Sequence, residues 1–449
     1  MASLPPERWA PSKIRQGVEL ILEGLRAPDD EPPLPSEAYR RLVEDLGRMR
    51  GRPLLLPYVS SGSGRGARVR LADGRSVLDF ALGIGVHFFG HRDPDLVRTA
   101  LEAAIEDTVM QGNLQMGRIV PQLLEGLVDG ASGRLAHGWI GNSGSEANET
   151  ALKIIRQKRA PATEIIAFRG CFHGRTSAMA EITDRPDYRE GQPRRETVHY
   201  LPFYDAREAQ HRRRTVTLLE ELLATRRERI ACFLFELVQG EAGFRTAPRE
   251  FFEPLMKACR AAGVAVWIDE IQTFGRTGEL FAFQKLDLAP YVDVVTIGKM
   301  LQAAATLYTE EYNPKPGLVS GTFAGSTVGL AVGRRIVERL RTEGYLGETG
   351  RIARLAALTA EHLARIAADL GPRRVSAIDG MGAMWALELP TRSHDAALEL
   401  VRRCFEAGLL LYYGGTGPYR LRLFLPAGVL TEDELEEGTA ILRHCLSRE

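Results

Sequence analysis

A chain of 449 residues is too long for one small core, so at least two lobes are expected. Hydrophobic residues make up 44% and charged residues 26%, and Lys+Arg and Asp+Glu stand at 58 each, which leaves no net field to draw in nucleic acid or an anionic membrane. Cys171, Cys232, Cys259, Cys404 and Cys445 are scattered, with no CxxC spacing or paired histidines, which argues against a disulfide framework or a metal centre and for a reducing, cytoplasmic setting.

Residues 1–35 read as a short helix, 18–25, and a Pro- and acid-rich connector, 27–33, forming an arm or linker placed to lie on a partner subunit. The N-terminal residues lack the apolar core of a secretion signal, and no run is long enough to span a bilayer. A helix is expected next, with Ala38, Leu42, Leu46 and Met49 on one stripe, Ser36 as its cap and Gly51 as its stop. Asp73-Gly74, between Val69-Arg70-Leu71 and Ser76-Val77-Leu78, is a hairpin signal. The glycine-punctuated loop 83–91 leads to a helix beginning near Pro94, and its isolated histidines, His87 and His91, are read as structural.

From about 95 to 335 helical and strand-like stretches alternate, which predicts an α/β architecture with a mainly parallel sheet and strands at 138–140, 164–168, 231–236, 264–269 and 292–297. Residues 336–449 show long amphipathic helices around short strands such as 384–388. The last helix opens with a capping box, Thr431 and Glu434, and Leu430 is placed to staple onto Leu435. The expected division is an arm and part of a small domain at 1–75, a large domain at 76–335, and the rest of the small α+β domain at 336–449.

Two apolar runs end in charge. Ala265-Val266-Trp267-Ile268 ends at Asp269, and the run from Val292 ends at Gly298-Lys299. Both read as parallel strands covered on both faces, and ligands of such sheets sit beyond the carboxyl ends of the strands. Strands also end in Asp or Lys merely for solvation or capping, so the pair needs support from elsewhere in the chain. Trp139-Ile140 runs through Gly141-Asn142-Ser143-Gly144-Ser145 into a helix with Ala147, Ala151, Ile154 and Ile155 on one face. Strand, glycine-rich turn and helix N-terminus form an anion cradle, and this one is neither a Walker loop nor a GxGxxG fingerprint, which argues against a nucleotide. A phosphate cradle, a carboxylate and a strand-end lysine are together what pyridoxal 5'-phosphate requires: the amine forms a Schiff base and the carboxylate pairs with the ring nitrogen.

With residues 142–149 (NSGSEANE) before Asp269-Glu270-Ile271-Gln272-Thr273, and Lys299 after both, the chain resembles the class III, or omega, aminotransferases, over nearly all of its length after residue 50. The resemblance implies a fold-type I pyridoxal phosphate enzyme with a seven-stranded, mainly parallel large-domain sheet, and a homodimer with shared active sites. It implies Lys299 and Asp269 as catalytic residues. Around the cofactor it implies Gly144 and Ser145 at the phosphate, Phe172 and Ile271 on the two ring faces, His173 beside them, Gln272 near the phenolic oxygen, and Thr322 completing the phosphate site of the neighbouring subunit. Phe172 and Ile271 are equally plausible as core residues, and Gln272 and Thr322 as loop caps. Arg175 matches the arginine that, in relatives acting on ornithine, acetylornithine or 4-aminobutyrate, grips the carboxylate remote from the reacting amine. Glu241 and Arg422 match a switch pair that masks the arginine for omega-amine donors and frees it for an α-carboxylate. A structural ion pair between lobes is the other reading of these two.

Several positions depart from the family pattern. The loop Gln272-Thr273-Phe274-Gly275-Arg276 is one glycine short, Met300 to Ala305 replaces a glycine-rich stretch, and Ser326-Thr327 replaces Asn-Pro. Gln302, three residues after the lysine, is closer to the lysine 6-aminotransferase branch. Gln115 and Met116 stand where aromatics often line the pocket, and leucines 54 to 56 where some relatives carry a tyrosine. These changes bear on substrate rather than cofactor. The expected reaction moves the terminal amine of a diamino or omega-amino acid to 2-oxoglutarate in ping-pong fashion, with small-molecule donor and oxo-acid acceptor as the only partners besides a second copy. A same-fold racemase, aminomutase or decarboxylating enzyme, a non-catalytic pyridoxal phosphate-binding protein, and a nucleotide-binding α/β enzyme are the alternatives.

Overall fold

A computed structural model describes residues 12–26, 32–106, 110–208 and 210–448. Most of the expected connector, residues 27–31, lies outside the described residues. A seven-stranded sheet is built from β1 (Leu135–Gly141), β2 (Glu164–Phe168), β3 (Val198–Leu201), β4 (Ile230–Phe235), β5 (Ala265–Asp269), β6 (Val294–Ile297) and β7 (Ala304–Thr309). Its order is β1-β7-β6-β5-β4-β2-β3, and every pairing is parallel except the two made by β7. Every residue of β2, β4, β5, β6 and β7 is buried, which is why β2, β4, β5 and β6 read as almost unbroken apolar runs. Helix α1 (Gly144–Arg159) covers one face with Ala147, Ala151, Ile154 and Ile155, all buried, the last three in one cluster with Trp267 and Leu234. On the opposite face Phe168, Phe233, Phe235, Phe251 and Phe252 pack ring against ring at 4.5 to 6.4 Å.

Two strands were not expected from sequence. β3 is a short edge strand, Val-His-Tyr-Leu, whose pattern is not apolar enough to stand out. β7 begins with two alanines five residues after Lys299 and becomes a strand because it fills the gap between β6 and β1, pairing antiparallel with both.

The Asp73-Gly74 hairpin forms with Val69 opposite Val77 and Gly74 at φ +90, the left-handed region open to glycine. Its second strand, Ser76–Asp79, pairs in parallel with Leu409–Leu410, so the early chain is stitched to the late chain. A four-stranded antiparallel sheet, β8 (Ala377–Met381), β9 (Met384–Glu388), β11 (Arg420–Phe424) and β10 (Tyr412–Gly414) in that order, belongs to the late chain. The terminal helix Glu432–Ser447 opens with Thr431 and Glu434 capping each other reciprocally, as expected.

Other local expectations are corrected. The first helix is longer than expected, Ser12–Arg26, and packs on its own chain: Val18 and Leu22 are buried, and Glu19 pairs with Arg98 of helix Pro94–Ala103. In helix Ser36–Met49 the N-cap is Pro35, and Ala38 and Met49 are exposed while Tyr39 and Gly47 are buried. The cause is Tyr39, whose bulk turns the helix toward the body and whose hydroxyl accepts from the Val59 N–H at 3.2 Å. His91 lies 2.9 Å from Asp79, in keeping with a structural histidine. No helix among the described residues is long and apolar enough to cross a membrane.

Candidate active site

The cradle begins where β1 ends. Ser143 caps α1, accepting from the Glu146 N–H at 3.2 Å, and Glu146 returns the contact by accepting from the Asn142 N–H at 2.8 Å. Gly144 and Ser145 thus open a 16-residue helix at its positive end. A Cβ on Gly144 would stand 2.7 Å from the Ile271 side chain, so only glycine lets that residue close over the turn. Gly298, just before Lys299, lies against the same spot, its would-be Cβ 3.6 Å from Gly144 Cα and from Ile271. Ser145 Oγ accepts from the Arg175 N–H at 3.3 Å, tying the loop of Phe172 and His173 to the cradle.

Asp269 ends β5, directly beside Thr296 of β6. Its Oδ1 accepts from the Ile271 N–H at 3.0 Å, and its Oδ2 accepts from Asn148 Nδ2 at 2.9 Å and lies 2.8 Å from His173 Nδ1. Asn148 also donates to the His173 carbonyl at 2.7 Å. All three side chains are buried, so the carboxylate is held in one orientation by groups that cannot swing away. Asn148 was missed from sequence. Its signal was a polar residue next to Ala147, on the helix stripe that faces the sheet.

Lys299 follows β6 by two residues and has φ +48, in the left-handed region that costs a side-chain-bearing residue about 1 kcal/mol or more. The 3-10 turn Lys299–Leu301 is locked there by fully buried Met300 and Leu301. Burial pushes the amine down to about 8, with Arg422 and Arg276 acting in the same direction and Glu241 and Asp269 against it.

The Phe172 N–H donates to Glu236 at 3.0 Å, and the same carboxylate accepts from the Gly240 N–H at 2.8 Å, so one buried acid joins the Phe172 loop to the Gly240-Glu241 turn. Gln272 is buried beside Gly240, its Oε1 without a partner. Arg422, from the middle of β11, is 1% exposed and donates to Glu241 Oε1 at 2.9 Å and the Gly240 carbonyl at 2.8 Å. Burial raises the Glu241 carboxyl, but Arg422 and then Lys299 outweigh it and hold it below its ordinary range. Arg276 is wholly buried and was not singled out; it donates to the carbonyls of Gln272 and Gly85, and burial brings it down to about 9.

Arg175 is exposed, its guanidinium 3.8 Å from the centroid of the Tyr188 ring, with no carboxylate paired to it among the described residues. Thr322 is the one predicted site residue that stays apart. It is exposed, and its loop reaches the cradle only through neighbours, the Phe323 carbonyl accepting from Asn142 Nδ2 at 2.6 Å and the Gly325 N–H donating to Asn142 Oδ1 at 3.0 Å.

A helix N-terminus, a fixed carboxylate, a neutralisable lysine, the buried Gln272 amide, and apolar residues from two different loops thus gather beyond the carboxyl ends of β1, β5 and β6. That donor set fits a phosphorylated pyridine aldehyde, and among known chemistries it defines a pyridoxal phosphate enzyme. Residues 53–446 match the class-III aminotransferase family. The chain is 30% identical over 426 residues to the mitochondrial acetylornithine aminotransferase of Alnus glutinosa, covering 91% of this chain and 88% of that one. It is 32% identical over 424 residues to the 2-aminoadipate transaminase of Pseudomonas putida, covering 87% and 96% respectively. In fold it resembles a Bacillus anthracis aminotransferase, with a TM-score of 0.84 at 23% identity, covering 93% of this chain and all of the other. The chain belongs to the class-III aminotransferases, a pyridoxal phosphate-dependent enzyme family.

Proposed function

We propose that the enzyme moves the terminal amino group of a diamino or omega-amino acid to 2-oxoglutarate by a ping-pong mechanism. The observation that carries this reading is the contrast between its two arginines. Arg175 is exposed and makes no ion pair among the described residues, whereas Arg422 is buried and masked by Glu241. A donor that presents a reacting amine at one end and a carboxylate at the other is met by Arg175 alone. An acceptor with a carboxylate next to the reacting carbon needs Arg422, and Glu241 must then swing aside. One relative is named for acetylornithine, a derivative of a diamino acid, in line with this division.

In this reading Gly144 and Ser145 hold the cofactor phosphate, Phe172 and Ile271 cover the two faces of its ring, and Gln272 meets its phenolic oxygen. Asp269, oriented by His173 and Asn148, pairs with the ring nitrogen. The bound cofactor supplies an electron sink for the substrate carbon. Lys299 then holds and moves the proton lost from that carbon, and an amine already drawn toward neutrality is suited to the work.

Thr322 belongs in this scheme to the site of a second copy. Its loop lies next to Leu114 and Met116, which with Phe323 are large apolar side chains left 46% to 101% exposed, beside the cradle. An apolar patch next to a phosphate site that lacks its last hydroxyl fits a homodimer with shared active sites. Five free cysteines fit a cytoplasmic enzyme.

The test follows both conversion of the donor and oxo product released, for a panel of donors, by purified enzyme with and without 2-oxoglutarate. The expected result is one equivalent per site without acceptor and continuous release with it. Continuous turnover without acceptor would point instead to a racemase, aminomutase or decarboxylating reaction and overturn the proposal.

A further inference from the structure

Tyr188 was given no part by the sequence, yet it forms the floor on which Arg175 rests. Its turn, Pro186–Arg189, is held to the preceding helix Ser177–Ile182 by Arg189, whose Nη1 donates to the carbonyls of Ala180, Glu181 and Thr183 at 3.3, 3.2 and 2.7 Å. The ring is half-buried and meets Phe172 edge-on at 6.0 Å, so it stands one ring away from the residue proposed to cover the cofactor.

Two guanidinium groups lie over this ring, Arg175 at 3.8 Å and Arg185 at 4.5 Å from its centroid. They are not equivalent. Arg185 is bound in two-pronged fashion by Asp187, at 3.0 and 2.8 Å, and its charge is answered. Among the described residues Arg175 makes no ion pair: the Asp187 carboxylate feels its charge but is held by Arg185, and the Arg175 guanidinium lies over the Tyr188 face, with the more distant Phe172 ring at 5.9 Å. A long, exposed arginine loses considerable rotamer freedom when it binds an anion, and a stacked, planar one has surrendered part of that freedom beforehand. An aromatic face holds a guanidinium without using up its N–H donors.

We propose that Tyr188 is a positioning residue that sets donor specificity, its ring holding the Arg175 guanidinium ready for the remote carboxylate of an amino donor. This rests on the donor reading given above. The ring, not the hydroxyl, does the holding, and the effect falls on donors that carry the remote carboxylate.

The experiment uses holoenzyme, the best substrate among omega-amino acids of three to six carbons, and the unbranched alkylamine of the same chain length. Tyr188→Leu is expected to raise KM for the amino acid about five- to thirtyfold, the range expected for a lost cation–π contact, with kcat unchanged. Alkylamine kinetics should stay as in the parent, which also certifies the fold, and Tyr188→Phe should keep KM within about twofold. If the parent enzyme itself shows no preference for the carboxylate-bearing donor, the donor reading fails and this inference falls with it. If the parent shows the preference and Tyr188→Leu retains it, or Tyr188→Phe loses it, the inference alone is overturned.

Discussion

At Lys299 one methylene chain carries two opposed demands. The ammonium form is opposed by burial, and the neutral form is the one that attacks an aldehyde. Capture of pyridoxal phosphate by the stripped enzyme should therefore speed up as pH rises and level off above about 8, the value to which the amine is pushed, rather than near its ordinary 10.5. Stopped-flow absorbance across pH reads this directly; a midpoint near 10 would contradict the burial argument. Lys299→Ala should abolish the visible cofactor band and lower kcat by about a thousandfold or more, whereas a retained band would disprove the assignment. Lys299→Met, in the stripped form at pH 7, should melt higher than the parent. The folded parent binds fewer protons than the unfolded chain between pH 8 and 10.5, so its stability rises with pH across that window and the variant's advantage shrinks.

Two glycines on neighbouring elements look alike in sequence and differ in space. A methyl group on Gly144 meets Ile271 at 2.7 Å, inside any real contact, whereas one on Gly298 stands at an ordinary 3.6 Å from its neighbours, on an extended backbone of φ −173. Gly144→Ala should displace Ile271 and weaken cofactor affinity about tenfold or more, and Gly298→Ala should bind nearly as the parent does, both measured by titration with pyridoxal phosphate. The elements carrying these residues were legible to different degrees. β5, β6 and the β1 turn announce themselves through continuous apolar runs or clustered small residues, which are local properties. β7 does not, since an alanine-led segment becomes a strand only when two neighbours leave a gap for it. The stripe of helix Ser36–Met49 was misjudged because one tyrosine with a distant hydrogen-bond partner outweighed the spacing of the smaller side chains.

Across the whole molecule, Glu241 and Arg422 join the loop after β4 to a strand of the late-chain sheet, so the ion pair spans two parts of the fold and, in the proposed scheme, two halves of the reaction. Arg422→Leu should leave product release from the donor alone largely intact and raise KM for 2-oxoglutarate at least tenfold, because in the proposed scheme Arg422 meets only the acceptor. A loss confined to the donor half-reaction would reverse the assignment of the two arginines. In solution the exposed Leu114, Met116 and Phe323 call for a mass of twice 49.6 kDa by sedimentation, and Phe323→Glu should shift it toward one chain. By itself the order of amino acids determined the sheet class, the cradle, and the placing of Asp269 and Lys299 at strand ends, because each depends on residues adjacent along the chain. What only the tertiary structure decided is which buried polar groups meet: Asn148 and His173 on one carboxylate, Glu236 between two loops, Tyr188 beneath Arg175. Such meetings are set by how strands order and helices pack across separations of ten to more than a hundred residues, and no local spacing encodes them.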